Sequence, residues 1–225
     1  VRGDIEKLLD RSILPESYSL NDSEQNFKPI DISSIDFEKL REDYERGRKN
    51  IEIEKLKNSI REKMEDMILK NKTRIKWRDK FEKLLDEYNS GIMNMDSVFD
   101  QLLGFGIEMN EEDDRKTELG LEEEELAIYD LLMKPEILLS KEEKEQVKNA
   151  AKKVIERLKE KELIPEWRLK EQNRASVKVA IMDELYSGLP EHKFPGYVLK
   201  DASEEVYSHV YEAYWGGDKS VYVYM

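Results

Sequence analysis

Paired carboxylates are the residues of this chain whose type and spacing could support acid–base chemistry. Two pairs could be read as a general acid and base, or as part of the Glu-x-Lys motif of a metal-dependent nuclease: Glu52 with Glu54, and Asp183 with Glu184. A chain with 51 acidic residues produces such spacings by chance, and no strand pattern is present to hold them in an active site. We therefore interpret them as solvated helix faces and predict no catalytic residue.

Motifs for metals and phosphates are also missing. The two histidines, His192 and His209, are far apart and have no HExxH spacing, and the absence of cysteine excludes a thiolate zinc site and any disulfide. No GxxxxGK sequence followed by Ser or Thr is present, and Gly104–Gly106 lies in an apolar helical context that indicates packing. We predict no metal site and no cofactor site.

Alternating basic residues between Lys70 and Lys80 are the best candidates for contact with nucleic acid. Lysine and arginine bind phosphates by displacing counterions from the duplex. A helix would spread these residues around its circumference, and Trp77 among them belongs to an apolar stripe. DNA contact is therefore an alternative hypothesis, and its candidate residues are Arg74, Lys76, Arg78 and Lys80.

Aromatic and basic residues in the last third of the chain suggest a surface for a protein partner. Tyr207 and Tyr211 have helical spacing and are predicted to be core residues. Tyrosine and tryptophan dominate the energetics of protein interfaces, and two of them stand next to a pair of glycines at a helix end. The predicted interface residues are Trp167, Arg168, Arg174, Tyr214 and Trp215.

Charge and composition restrict the class of protein. Of the net charge of −13, a share of −10 lies in the segment Glu108–Glu145, which has 5 basic and 15 acidic residues. Such a segment would steer basic surfaces of partner proteins and discourage direct DNA contact. There is no run of about 18 apolar residues that could span a membrane. The cysteine-free composition suits the reducing cytosol, and we expect a cytoplasmic location.

The apolar residues of the first half recur at three- and four-residue steps, which predicts amphipathic helices. Asp36 is predicted to cap the first of them. Gly91 is predicted to end a helix that carries Trp77 on its apolar stripe, and Asp96 to cap the next. Glycine lowers helix propensity by about 1 kcal/mol, so Gly104–Gly106 predicts either a kink or a tight helix crossing.

The second half shows the same periodicity. Ser140 and Glu143 have the spacing of a capping box, in which the two residues bond each other's backbone N–H groups. Two further helices are predicted, from about Trp167 to Tyr186 and from about Ala202 to Trp215. The tail that follows could be a short strand or disordered.

These patterns predict an all-α protein of two consecutive helical subdomains, each a multi-helix bundle, with no large sheet. The missing initiator methionine leads us to expect a fragment from inside a longer chain. The predicted divisions are a linker and incoming helix at 1–34, a helical domain at 35–119, a C-terminal helical domain at 120–217 and a tail at 218–225.

Six segments stand in order along nearly the whole chain. They are IEKLLDRSI near the start, IDISSIDFEKL at 30–40, TRIKWRDKFEKLLDEYNSG at 73–91, GLEEEELAIYDLL at 120–132, EWRLKEQNRASVKVAI at 166–181 and HVYEAYWG at 209–216. This ordered set resembles the C-terminal part of the motor and nuclease subunit of type I restriction enzymes.

The resemblance implies a position within a larger subunit. Proteins of that family have a nuclease domain, two RecA-like motor lobes, a helical domain and a C-terminal helical region that docks onto a methyltransferase core. This chain would correspond to the last two parts, with residues 1–34 arriving from the motor. The nuclease, the ATP-dependent DNA translocation and the ATP and Mg would then belong to the parent subunit, and no catalytic residue is carried over.

Two functional hypotheses follow. In the first, the chain is an assembly module whose partners are the methyltransferase and specificity subunits, and it reaches DNA only through the parent assembly. In the second, the basic residues between Lys70 and Lys83 guide duplex DNA through the motor.

Overall fold

The structure is a computed structural model that describes residue 32 and residues 35–47, 49–217 and 219–223. The predicted linker at 1–34 lies outside the described residues except for Ile32. Within the described residues, eight α-helices and a single two-stranded sheet are present, which confirms the all-α prediction. Residues 31–225 form one compact unit. A domain boundary near Gly120 stays a prediction.

The described residues of the first half from Ile35 onwards form four α-helices and a short 3-10 helix. Their bounds are α1 Phe37–Glu45, α2 Lys49–Lys70, the 3-10 helix Lys72–Ile75, α3 Lys76–Asn89 and α4 Met95–Leu119. The helix α2 packs against α1 and α4, and α3 packs against α4. The prediction that Asp36 caps α1 is confirmed, because its Oδ1 accepts from the N–H of Lys39 at 3.0 Å.

The cap of α4 differs from the prediction. Its N-cap is Asn94, whose side chain accepts from the N–H of Ser97, so the assignment of Asp96 was wrong. Asp96 lies in the first turn and accepts hydrogen bonds from Tyr44 Oη and Lys49 Nζ, each at 2.6 Å. It therefore connects α4 to α1 and α2.

The helix α4 continues through Gly104 and Gly106, and the two predicted alternatives, a kink and a tight helix crossing, stay predictions. A Cβ atom at Gly106 would lie 3.2 Å from the ring of Phe37 on α1, whereas nothing approaches within 4 Å at Gly104. Glycine at 106 thus lets α1 lie close to α4.

The second half contains four α-helices and the small sheet. Their bounds are α5 Glu123–Leu132, α6 Lys141–Arg157, a π-helical extension Leu158–Glu162, α7 Glu171–Gly188, α8 Gly196–Ala213, β1 Tyr214–Gly216 and β2 Lys219–Ser220. The helix α6 packs against α5 and α7, and α8 packs against α5 and α7. The strands β1 and β2 are antiparallel.

The capping box at the start of α6 is confirmed. Ser140 Oγ accepts from the N–H of Glu143 at 3.2 Å, and the Glu143 carboxylate accepts from the N–H of Ser140 at 2.6 Å. This reciprocal pairing satisfies two of the N–H groups that every helix start leaves without an intrahelical partner.

Two predicted helix bounds were wrong. The helix α7 begins at Glu171 instead of Trp167, because Glu166 has a φ of +61° and the chain turns there. The helix α8 begins six residues earlier than predicted, at Gly196, and ends at Ala213. The tail that follows contains β2, so the strand alternative is the one observed.

The buried side chains form two hydrophobic clusters, here named the first core and the second core. Along the chain, the residues of the two clusters are separated at Gly120, between α4 and α5. Gly120 adopts a left-handed conformation with φ +63°, which glycine accommodates without a Cβ clash. The first core is built from α1 to α4 and includes Ile60, Phe81, Phe99, Leu102 and Met109. The second core is built from α5 to β2 and includes Leu126, Val154, Trp167, Ile181 and Val206.

Candidate functional site

Two of the predicted interface residues lie inside the protein. Trp167 and Tyr214 are buried in the second core, where the indole N–H of Trp167 donates to the carbonyl oxygen of Tyr214 at 3.2 Å. The Tyr214 hydroxyl donates to Glu124 Oε2 at 2.7 Å, and burial together with that carboxylate raises the pKa of Tyr214. These two side chains are structural and do not lie on a surface that a partner could reach.

The two predicted arginines are half-buried and bond to backbone carbonyls. Arg168 Nε donates to the carbonyl of Tyr214 at 2.8 Å, and Arg168 Nη2 donates to that of Glu212 at 3.1 Å. These bonds satisfy carbonyls at the end of α8, where no further helical turn provides N–H groups to donate to them. Arg174 Nη1 donates to the carbonyl of Arg168 at 2.6 Å. Arg168 therefore holds the loop before α7 against the end of α8, and Arg174 holds the same loop to the first turn of α7.

Trp215 is the predicted interface residue that lies on the surface, with 44% of its area exposed. It borders a groove of about 810 Å³ together with two other exposed apolar side chains, Leu69 at 60% and Ile75 at 45%. We name this site the inter-core groove. Its lining residues are Glu65, Asp66, Ile68, Leu69, Lys72, Ile75, Arg78, His209, Glu212, Ala213, Trp215 and Val221.

Both halves of the chain contribute to the inter-core groove. The helix α2, the 3-10 helix and α3 line one side, and α8, β1 and the residue after β2 line the other. Four of the five charged lining residues pair with one another, since Arg78 bonds to Glu65 and Lys72 bonds to Glu212. The fifth, Asp66, bonds to Lys70. The groove is therefore apolar inside and has charges of both signs at its edge.

The structure does not group the four predicted DNA-contact residues on one surface. Arg74 is only 2% exposed, and its guanidinium bonds to Glu112, at 3.1 Å from Nε, and to Glu123. The prediction of phosphate contact by Arg74 is therefore corrected, because no face of that guanidinium is open to a duplex.

The other three predicted DNA-contact residues are nearer the surface. Arg78 is half-buried and pairs with Glu65, and exposed Lys80 pairs with Glu108. Exposed Lys76 has no ion pair within the described part of the chain. Surface ion pairs stabilise proteins by little, so Arg78 and Lys80 could exchange a carboxylate for a phosphate. DNA contact by Lys76, Arg78 and Lys80 stays a prediction.

Some carboxylates of the acidic segment Glu108–Glu145 bond to side chains within the protein. Arg115 Nη1 lies 2.9 Å from Glu112 Oε1 and 3.0 Å from Asp130 Oδ2, and Asn71 Nδ2 donates to the same Asp130 oxygen at 2.8 Å. These residues connect the N-cap of the 3-10 helix, the C-terminal third of α4 and the helix α5. With Arg74 they form a polar network between the two cores, which the sequence did not reveal.

The tail also contacts the boundary between the two cores, which we call the junction. The Tyr222 hydroxyl donates to the carbonyl oxygen of Lys70, the last residue of α2, at 2.8 Å. His209 Nε2 lies 2.8 Å from that hydroxyl. A hydroxyl has one proton to donate, so the ring nitrogen of His209 must carry the hydrogen of this second bond. We name these three residues the C-terminal latch.

His209 is neutral at physiological pH. Its side chain is 3% exposed, and burial, aided by the nearby charge of Lys72, lowers its pKa to about 4. A buried histidine loses its hydration when it is charged, which favours the neutral ring. The latch at pH 7 is therefore a hydrogen-bonded chain of neutral groups.

Comparison with known proteins places this architecture in a family. The sequence model of a family described as type I restriction enzyme HindI endonuclease subunit-like, C-terminal, matches residues 1–214. The chain belongs to this family. It is also 27% identical over 195 residues to a putative type I restriction enzyme MjaIXP endonuclease subunit of Methanocaldococcus jannaschii. That alignment covers 82% of this chain and 18% of the relative, so the chain spans less than a fifth of that protein. No solved structure matches the chain.

The family match ends at Tyr214. Trp215, Val221 and Tyr222 lie beyond it, yet they border the groove or form the latch. The features that distinguish this site therefore include residues that the family comparison does not cover.

Of the paired carboxylates, Glu54 and Asp183 are exposed as predicted, Glu184 is half-buried and Glu52 is not solvated. Glu52 is buried and bonds to Lys55 at 2.9 Å, so its interpretation as a solvated residue was wrong. Asp183 and Glu184 both bond to Arg157 and join α7 to α6. Within the described residues, no group of three or more His, Asp or Glu side chains could hold a metal ion. None of the described helices has the length and apolar character needed to cross a membrane.

Proposed function

We propose that this chain is the C-terminal assembly module of a type I restriction endonuclease subunit, and that it docks the parent subunit onto a core of methyltransferase and specificity subunits. The parent would supply DNA cleavage and ATP-dependent translocation with ATP and Mg. The family membership supports a role in restriction. The observation that carries the docking role is the inter-core groove.

Three properties of the groove suit a protein partner. Leu69, Ile75 and Trp215 expose apolar area around one depression. Clustered exposed apolar side chains in soluble proteins mark interaction sites, and tryptophan is prominent among residues that contribute most to binding. Because the charges at the edge are already paired, a duplex would have to displace a carboxylate at each basic residue.

The test uses the purified chain and the purified complex of methyltransferase and specificity subunits from the same restriction system. We expect a stoichiometric complex in gel filtration with light scattering. Trp215→Ala and Leu69→Ala should each weaken it at least about tenfold, the size expected for truncating a central interface residue. Separate elution at micromolar concentration would contradict the proposal.

Leu138 provides a matched control. It is 81% exposed, lies in the connection between α5 and α6, and is absent from the groove lining. Leu138→Ala removes the same number of carbon atoms from the surface as Leu69→Ala. It should leave the affinity unchanged, whereas an equal loss in both variants would show that general surface hydrophobicity, and not the groove, drives the association.

The alternative function, a DNA guide, is favoured by the surface positions of Lys76 and Lys80. It requires measurable binding to duplex DNA at about 50 mM salt, with a steep decrease as salt rises. We expect no such binding from this chain alone. Binding that disappears in a Lys76→Ala, Arg78→Ala, Lys80→Ala triple variant would instead establish the alternative.

A further inference from the structure

The inter-core groove exists only while the two cores keep their relative position. Leu69 and Ile75 belong to elements of the first half, and Trp215 and Val221 belong to the C-terminal segment. A rotation of one half against the other would separate these two sides. The groove is therefore a composite surface, and whatever fixes the junction also determines whether the groove is present.

The C-terminal segment makes the contacts that fix the junction beside the groove. Val221 is buried against the second core, while Tyr222 reaches across to the carbonyl of Lys70 on α2. The Tyr222 ring also packs beside that of Tyr214, with centroids 5.6 Å apart. Next to it, Lys72 of the 3-10 helix pairs with Glu212 of α8.

We propose that residues 214–217 and 219–223, through the C-terminal latch, hold the inter-core groove open for its partner, so that this segment controls docking. This inference rests on the proposed docking function for the identity of the partner. If the partner binds only the latched arrangement, its apparent affinity equals its affinity for that arrangement multiplied by the fraction of molecules that are latched. By the same linkage, the bound partner stabilises the latch.

The first experiment measures the junction without any partner. Because the chain contains no cysteine, two introduced cysteines can carry spin labels at chosen positions. Exposed Glu82 on α3 and exposed Lys200 on α8 report the distance between the halves. A second pair, Gln172 on α7 with Lys200, reports the second half alone and verifies its folding.

Two variants open the latch to different degrees. Ending the chain after Gly217 removes β2, Val221 and Tyr222, and Tyr222→Phe removes only the hydroxyl while it keeps the ring beside Tyr214. We expect a narrow distance distribution between the halves in the natural chain, a broad one in the shortened chain and a smaller broadening in Tyr222→Phe. The distance within the second half should not change in either variant.

The second experiment measures affinity for the purified complex of methyltransferase and specificity subunits. Loss of the two hydrogen bonds of the Tyr222 hydroxyl should reduce the affinity of Tyr222→Phe roughly three- to tenfold, and saturating partner should restore a narrow distance between the halves. Tyr186→Phe, at an exposed tyrosine of α7, is the matched control and should have no effect.

The two proposals fail separately. If the natural chain does not bind the complex, docking is contradicted, while the distance measurements still decide whether the latch exists. If the distance between the halves stays narrow in the shortened chain, or if Tyr222→Phe binds as tightly as the natural chain, the latch is overturned even when Trp215→Ala abolishes docking.

Discussion

At the scale of single residues, His209 should make the stability of the protein sensitive to mild acid. Its pKa in the folded chain is about 4, against 6.5 for a free histidine. Between these values the unfolded chain binds a proton that the folded chain does not. The free energy of unfolding should therefore be fully retained above pH 6.5 and fall by roughly 3 kcal/mol as the pH drops to about 4.

The measurement is urea denaturation at several pH values, with the natural chain compared to His209→Gln. Glutamine retains an N–H that can reach Tyr222 but cannot be protonated in this range, so the decrease between pH 6.5 and 4 should shrink. His192→Gln, at an exposed histidine, should keep the full decrease. Identical pH profiles for the natural chain and His209→Gln would contradict the assignment.

The candidate residues show which kinds of site information a sequence contains. Trp215 was selected together with Tyr214, because both stand beside two glycines at a helix end, and only Trp215 is exposed. The exposure of Leu69 and Ile75 could also have been predicted, because neither residue falls on the apolar stripe of its helix. The burial of Trp167 and Arg74 was not predictable from the sequence, because their partners, such as Tyr214 and Glu112, are distant along the chain and close only in the folded structure.

At the scale of elements, the two glycines of α4 allow a matched test of the tight packing between α1 and α4. Gly104→Ala should stabilise the protein by about 0.5–1 kcal/mol, because alanine restricts the unfolded chain and its Cβ would meet nothing within 4 Å. Gly106→Ala places the same methyl group 3.2 Å from Phe37, so the free energy of unfolding of this variant should equal that of the natural chain or fall below it. Thermal unfolding of both variants measures the difference, and equal stabilisation would show that α1 is free to move away.

Helix starts and stops were predictable where the signal is local. Asp36 and the Ser140–Glu143 box were identified because a cap requires one side chain and a backbone N–H two or three residues away. The start of α7 was missed, because Glu166 adopts a left-handed conformation that is unusual for glutamate. The start of α8 was missed because its N-cap residue, Pro195, has no side-chain cap hydrogen bond to signal it. The pairing of β2 was left open, since a two-residue strand has no measurable periodicity.

At the scale of the whole molecule, the all-α class was predictable and the junction between the cores was not. Charge patterning indicated that Glu108–Glu145 is acidic, but only the fold shows that Glu112, Glu123 and Asp130 face Arg74 and Arg115. This pairing also explains why the basic run beginning at Lys70 offers less open positive charge than its sequence suggests.

The polar network at the junction should make the two cores unfold together, and Arg74→Ala tests this. The substitution leaves Glu112 and Glu123 partly buried without their shared cation, which should cost on the order of 3 kcal/mol. We expect hydrogen exchange of peptides from α2–α4 and from α5–α8 to show one common opening energy in the natural chain and two different ones in the variant.

Arg78→Ala is the control for this prediction, because its pair with Glu65 lies at the surface and does not cross the junction. It should leave the two opening energies equal. If Arg74→Ala also left them equal, the hydrophobic contacts between the halves would suffice to couple the cores. If the two opening energies separate in Arg74→Ala but not in Arg78→Ala, a buried arginine and the acidic segment join the two helical bundles into one cooperative unit. A docking groove built from both halves requires this rigidity.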